Sequence, residues 1–232
     1  MNKNGFIQRM KKDKKSESTI RRNIELTAKF EKYLLENKKR RTEEATPKDL
    51  EDFYTWGAKN KLKNLRMYFM SISDYYAYIS NEKMVLKAKE LMGIIELETY
   101  KLKDFQGIND DHIERLNRRG VNTAKQMLDA GFTKKERSRL SKETNIPINS
   151  ILELVKLSDL ARIPGVKKVR ARLYYEAGLD TLEKMAVCNS EEIRRISADY
   201  IEKSGFKGIP PTPGEAKHTV TLAKYLKKYV EY

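Results

Sequence analysis

The chain has 232 residues, 39% of them hydrophobic and 35% charged, and 48 Lys and Arg against 33 Asp and Glu give it a net charge of +15. Its apolar runs, such as Met92-Gly93-Ile94-Ile95, are far short of the about 20 residues that span a bilayer, and residues 1–15 lack the apolar stretch of a secretion signal. One cysteine, Cys188, and two histidines, His112 and His218, exclude a disulfide framework or a cysteine-rich zinc module, and the expected home is a reducing cytoplasm.

Residues 1–15 carry Lys3, Arg9, Lys11, Lys12, Lys14 and Lys15 with only Phe6, Ile7 and Met10 to bury, and they read as a flexible basic arm. From Ser18 or Thr19 onward, Ile20, Ile24, Thr27, Phe30, Tyr33 and Leu34 recur at three- and four-residue steps, which predicts a helix to about Glu36. The basic run Lys38-Lys39-Arg40-Arg41 ends it. Thr46-Pro47-Lys48-Asp49 sets a hydroxyl cap before a proline at the first helical position and launches Leu50, Phe53, Tyr54 and Trp56, with Gly57 stopping or bending the helix. Leu62 to Ile79 reads as an aromatic-rich helix with Leu65, Tyr68, Phe69, Ile72, Tyr75, Tyr76 and Ile79 on one wide face. Asn81 breaks it, and Met84, Leu86, Ala88, Leu91, Ile94 and Ile95 begin a fourth. Residues 16–100 are therefore expected to form a compact four-helix bundle.

Residues 101–232 contain an internal repeat with an offset of 58 residues. Gly107-Ile108 precedes Gly120-Val121 by 13 residues, and Gly165-Val166 precedes Gly178-Leu179 by the same interval; each second glycine leads to a threonine and a methionine, Thr123 and Met127 or Thr181 and Met185. Ile113 and Leu116 of the first copy match Ala171 and Tyr174 of the second. In each copy a glycine with positive φ turns the chain into a helix whose first N–H groups are unpaired, a second glycine ends that helix, and Thr123 or Thr181 caps the next. Free amides at such a turn are ready donors to phosphate oxygens.

The stretch from Asp159 to Leu182, with Ile163-Pro164-Gly165-Val166-Lys167-Lys168 at its centre, resembles a helix-hairpin-helix motif. The whole of 104–228, including Pro210, Pro211 and Pro213 before a final helix, looks like a double helix-hairpin-helix family that carries no assigned function. The resemblance implies sequence-independent contact with the DNA backbone through the hairpins, here Gly107, Ile108 and Asn109 in the first copy and Gly165, Val166 and Lys167 in the second. Asn109 and Lys167 stand where such hairpins have their second glycine. Asp110-Asp111 after the first hairpin repels phosphate, whereas Lys167, Lys168, Arg170 and Arg172 after the second attract it, so the second hairpin is expected to bind DNA and the first to be mainly structural.

Residues 16–95 are similar to the N-terminal, SAM-like core-binding domain of tyrosine recombinases, in the order of their elements and in the helix start Thr46-Pro47-Lys48-Asp49-Leu50. That resemblance implies a bundle clamped on one side of a duplex, with Arg21, Arg22, Lys29, Lys59, Lys61, Lys63 and Arg66 as the positions that can reach it. The charge runs +9 over residues 1–41, −2 over 42–100 and +8 over 101–232, an asymmetry that favours a polyanionic partner.

No catalyst is expected. His112-Ile113-Glu114-Arg115 matches the spacing of the recombinase His-x-x-Arg box, and Tyr229 and Tyr232 lie near the end, but the box sits inside the first hairpin repeat without its surrounding pattern. The carboxylate pairs Asp110-Asp111 and Glu191-Glu192 are adjacent and diverge by about 100° on a helix, no phosphate-binding Gly-x-x-x-x-Gly-Lys-Ser/Thr loop is present, and Cys188 has no neighbouring histidine. The sequence thus reads as an all-α, two-domain, non-catalytic protein that grips duplex DNA with weak sequence specificity, without cofactor, metal, membrane or small-molecule substrate, in the cytoplasm or on the nucleoid. A protein-interaction adaptor and an accessory factor of a recombination or repair system are the alternatives.

Overall fold

The computed structural model describes residues 1–232 as thirteen α-helices and two short 3-10 helices, with no strand beyond an isolated bridge between Lys101 and Thr123. The fold is all-α, and no helix is long and apolar enough to cross a membrane. The chain forms two compact units, Met1–Ile95 and Glu96–Tyr232.

The first unit holds α1 (Lys3–Lys12), α2 (Glu17–Lys38), α3 (Pro47–Lys59), α4 (Leu65–Tyr78) and most of α5 (Glu82–Thr99). The expected flexible arm is α1, a correction with a simple cause. Phe6 and Met10, four residues apart, lie on one face, and the ring of Phe6 meets that of Tyr75 edge-on at 5.4 Å. Asn2 caps the helix by accepting from the Gly5 N–H, and the amino group of Met1 pairs with Glu31 and, at 3.5 Å, with Glu43. Two buried side chains suffice because the receiving surface is aromatic and the polar ends are satisfied. Around Phe53 the rings of Phe30, Tyr33, Trp56, Tyr68 and Phe69 lie with centroids 5.0–5.9 Å away. Thr46 and Asp49 start α3 as expected, the Asp49 carboxylate accepting from the Thr46 N–H at 2.8 Å.

The second unit shows the repeat in three dimensions. Its first copy is α6 (Asp110–Arg118), α7 (Ala124–Gly131), α8 (Lys134–Thr144) and α9 (Ile148–Leu160); its second is α10 (Lys168–Glu176), α11 (Leu182–Val187), α12 (Ser190–Ser204) and α13 (Pro213–Tyr225). α6 and α10 have nine residues each, α9 and α13 thirteen each, and α7 packs on α9 as α11 packs on α13. Thr123 and Thr181 cap α7 and α11 through their hydroxyls. Gly107, Gly120, Gly165 and Gly178 have φ of +72°, +78°, +89° and +81°, the left-handed turns that a side chain strains. The duplication therefore extends over four helices, beyond the two that the sequence pattern marks. Past α11 the register slips, because α8 and α12 have 11 and 15 residues and are followed by connections of three residues (145–147) and eight (205–212).

Beyond α13, residues 226–232 return to the first copy. Glu231 N–H donates to Phe132 O at 2.8 Å, Arg137 donates to Glu231 O at 2.6 Å, and the Tyr229 hydroxyl donates to Asp129 at 2.6 Å. Val230 is buried. The Tyr232 hydroxyl reaches the buried Asp159 at 2.9 Å, which also accepts from Arg162 at 2.8 Å. Desolvation raises the Asp159 carboxyl, and the guanidinium and phenol oppose that rise.

Candidate nucleic-acid interface

The second glycine turn is at the surface. Gly165 is exposed and no atom lies within 4 Å of where its Cβ would be. The basic residues that follow it are placed differently from one another. Lys168 is exposed. Lys167 Nζ lies 2.9 Å from the Glu96 carboxylate and 5.0 Å from the centre of the Tyr100 ring. Arg170 donates to Ile209 O at 2.8 Å and lies 3.4 Å from Glu215.

Arg172 is only 5% exposed, so the expectation that it meets DNA is corrected. Its Nε donates to Gln106 O at 2.6 Å, and its two terminal nitrogens pair with Glu153 at 2.7 Å and Glu176 at 3.1 Å. The guanidinium thereby ties α10 to α9 and to the first glycine turn, where it lies 3.5 Å from the Cβ position of Gly107. The first amide of α10 is also occupied: Lys168 N–H donates at 2.8 Å to the Tyr100 hydroxyl, which in turn donates to Asp104 O at 3.1 Å. Burial pushes the Tyr100 phenol up, keeping it protonated for this relay.

The first turn offers phosphate less. Asn109 caps α6 with its own side chain, accepting from the N–H groups of Asp111 at 2.9 Å and His112 at 3.3 Å, and Asp110 and Asp111 are exposed. Val166 is buried and Ile108 partly so; both serve packing.

In the first unit Arg21, Lys29, Lys59, Lys61 and Lys63 are exposed, and Arg22 and Arg66 are partly buried. Lys29 pairs with Glu25 at 3.3 Å and lies over the Tyr68 ring at 5.8 Å. Lys59 ends α3, and Lys61 and Lys63 follow on its short connection to α4, where Lys61 takes φ of +53°. Arg21 and Arg22 belong to α2 and Arg66 to α4.

A compact basic surface lies on α8. At 100° per residue, Lys134, Ser138, Lys142, Lys135 and Arg139 follow one another around an arc of about 140° that contains no carboxylate. All five are exposed, and Lys135, Ser138, Arg139 and Lys142 line a shallow concavity together with Thr133 and Glu136. Glu136 is turned back to the helix start, where its carboxylate accepts from the Thr133 hydroxyl at 3.0 Å and the Thr133 N–H at 3.3 Å. Glu143 lies at the arc's edge, 3.9 Å from Arg139 and 3.6 Å from Arg119. Sequence reasoning missed this face, although Lys135, Arg139 and Lys142 stand at i, i+4 and i+7. The glycine turns drew attention to the helices directly after them, and α8 follows no such turn.

The residues that mimic a recombinase box are held in ordinary contacts. Arg115 pairs with Asp111 at 2.7 Å and donates to Asn145 O at 2.9 Å. Burial and the Asp129 carboxylate push Tyr229 up to about 12, and burial together with Asp159 pushes Tyr232 up further. Burial likewise raises the Cys188 thiol, which donates weakly to Lys184 O at 3.3 Å. No group of three or more His, Cys, Asp or Glu is placed to hold a metal ion.

Comparison with known proteins adds one family. A model described as "Domain of unknown function (DUF4332)" matches residues 106–226, which includes both copies of the repeat. Comparison with curated proteins and with solved structures gave no match.

Proposed function

The chain belongs to the DUF4332 family, and from the surface of its repeat we propose that it binds the phosphate backbone of duplex DNA without catalysis. The observation that carries this reading is the carboxylate-free arc of α8, Lys134, Lys135, Arg139 and Lys142 around Ser138. Four cations on one rigid helix face neutralise phosphates without reading bases, and the serine hydroxyl adds a donor. Exposed Lys168 beside the open glycine turn at Gly165 supplies a second contact, which is what remains on the surface of the helix-hairpin-helix resemblance. Lys59 at the end of α3, with Lys61 and Lys63 on the connection that follows, are the corresponding contacts in the first unit.

The test is duplex binding followed by fluorescence anisotropy over a salt series. Each neutralised phosphate contributes a slope of about −0.9 in log affinity against log salt. Replacing Lys134, Lys135, Arg139 and Lys142 together by Gln is expected to make that slope shallower by about 3 to 4 and to weaken binding most at low salt. An unchanged slope removes α8 from the interface, and the absence of duplex binding at low salt sinks the reading.

A further inference from the structure

The two copies of the repeat differ most where α12 meets α13. In the first copy, three residues suffice: Asn145 takes the left-handed conformation that ends α8, Ile146 turns inward and is 1% exposed, and Pro147 starts α9. In the second copy, Gly205 ends α12 the same way, but it is the first of eight residues before α13 begins, and Ile209 among them is 73% exposed.

The extra segment is held firmly. Arg170 donates to the carbonyl of Ile209 itself at 2.8 Å, Arg194 donates to Pro211 O at 3.3 Å, and Gly208 N–H donates to Phe206 O at 3.0 Å. Pro210 and Pro211 fix the backbone after Ile209. Gly208 is wedged against Phe206 and Val169, since a Cβ there would lie 2.8 Å from the Phe206 ring and 3.3 Å from a Val169 methyl. An aliphatic tip thus stands beside the first turn of α10. Lys207, two residues before Ile209, and Lys168, next to the Val169 that touches Gly208, are exposed, while Glu215 bonds to Thr212 and Arg170. Water is the wrong neighbour for an isoleucine so displayed.

Its chemistry narrows the partner. A protein-docking face buries about 800 Å² on each side, and this tip offers a few side chains. A wedge between stacked bases needs less: one rigid aliphatic or proline side chain, with cations to hold the phosphates on either side. We propose that Ile209 is such a wedge, entering a base step of a bound duplex while Lys168 and Lys207 hold the flanking phosphates, so that the protein bends the DNA it binds. The inference rests on the duplex-binding reading and adds deformation to it.

The experiment uses the full chain and a duplex labelled at both ends for energy transfer, with 2-aminopurine beside a central pyrimidine–purine step, the step most easily unstacked. Wild type is expected to raise both the transfer and the 2-aminopurine fluorescence, with a bend of about 20–90°. Ile209→Ser, at a surface position where substitution leaves the fold in place, is expected to lose both signals and keep the salt slope. Binding by wild type with neither signal, or bending by Ile209→Ser equal to wild type, overturns the wedge and leaves duplex binding standing. No binding by wild type removes both. Sedimentation provides the remaining arm: a self-associated wild type that becomes monomeric on Ile209→Ser makes the tip a contact between copies and overturns the wedge.

Discussion

A guanidinium taken out of water must place its donors, and Arg172 places them on a carbonyl and two carboxylates from separate parts of the second unit. Its removal leaves Glu153, Glu176 and the carbonyl of Gln106 without their partner. Arg172→Ala is therefore expected to destabilise the protein by about 3–5 kcal/mol, measured by urea unfolding. Lys168→Gln, four residues earlier on the same helix, is expected to change stability by no more than about 0.5 kcal/mol and to weaken duplex binding. From the sequence the two look alike, as members of one basic run. What separates them is position along the helix and not phase: four residues apart they share a face, but Lys168 lies on the exposed first turn of α10, and Arg172, one turn later, is where that face meets Glu153 of α9. Phase alone does not reveal which side of α10 is covered, because Tyr174 and Ala171 also point inward and leave a narrow outer face.

At the scale of elements, α1 separates composition from placement. Six basic residues among the first fifteen suggest a solvated arm, and two apolar side chains at helical spacing overrule them. Phe6→Ala is expected to cost about 3–5 kcal/mol in global stability, a loss that a flexible arm does not suffer. On α3, hydrogen bonds from Lys38 and Lys48 hold the Asp52 carboxyl below its ordinary value, and one from Lys87 does the same for Glu51. Carboxylates lowered in the fold stabilise it fully above the unfolded value, about 4, and lose that contribution as the pH falls through the folded value. Stability is thus expected to fall steeply below about pH 4, and Asp52→Asn to flatten that limb of a Tm-against-pH profile. The caps of α3, α7 and α11 were legible because each is written in a short local pattern around Thr46, Thr123 and Thr181. The α8 arc is equally local, but a polar face carries the same letters whether it binds a polyanion or only water.

For the whole molecule, a net charge of +15 predicts attraction to any duplex before it predicts a choice among them. Unrelated duplexes of equal length are expected to bind with affinities within about one factor of ten in a competition assay, because phosphates carry no sequence. The two-unit organisation was legible from the contrast between an aromatic first part and a glycine-punctuated second, and the 58-residue offset located half of each copy. The other half was hidden by unequal helices and loops, and so was the return of residues 226–232, which depends on pairings almost a hundred positions apart, Arg137 with Glu231 and Tyr229 with Asp129. That return sets an order on synthesis. The first copy emerges from the ribosome well before the second, yet the side chains of Arg137, Asp129 and Asp159, which bond locally to Gly131, Lys125 and Arg162, obtain their remaining partners from residues made after α13. The half of the repeat that is translated first is the half that must wait to finish folding.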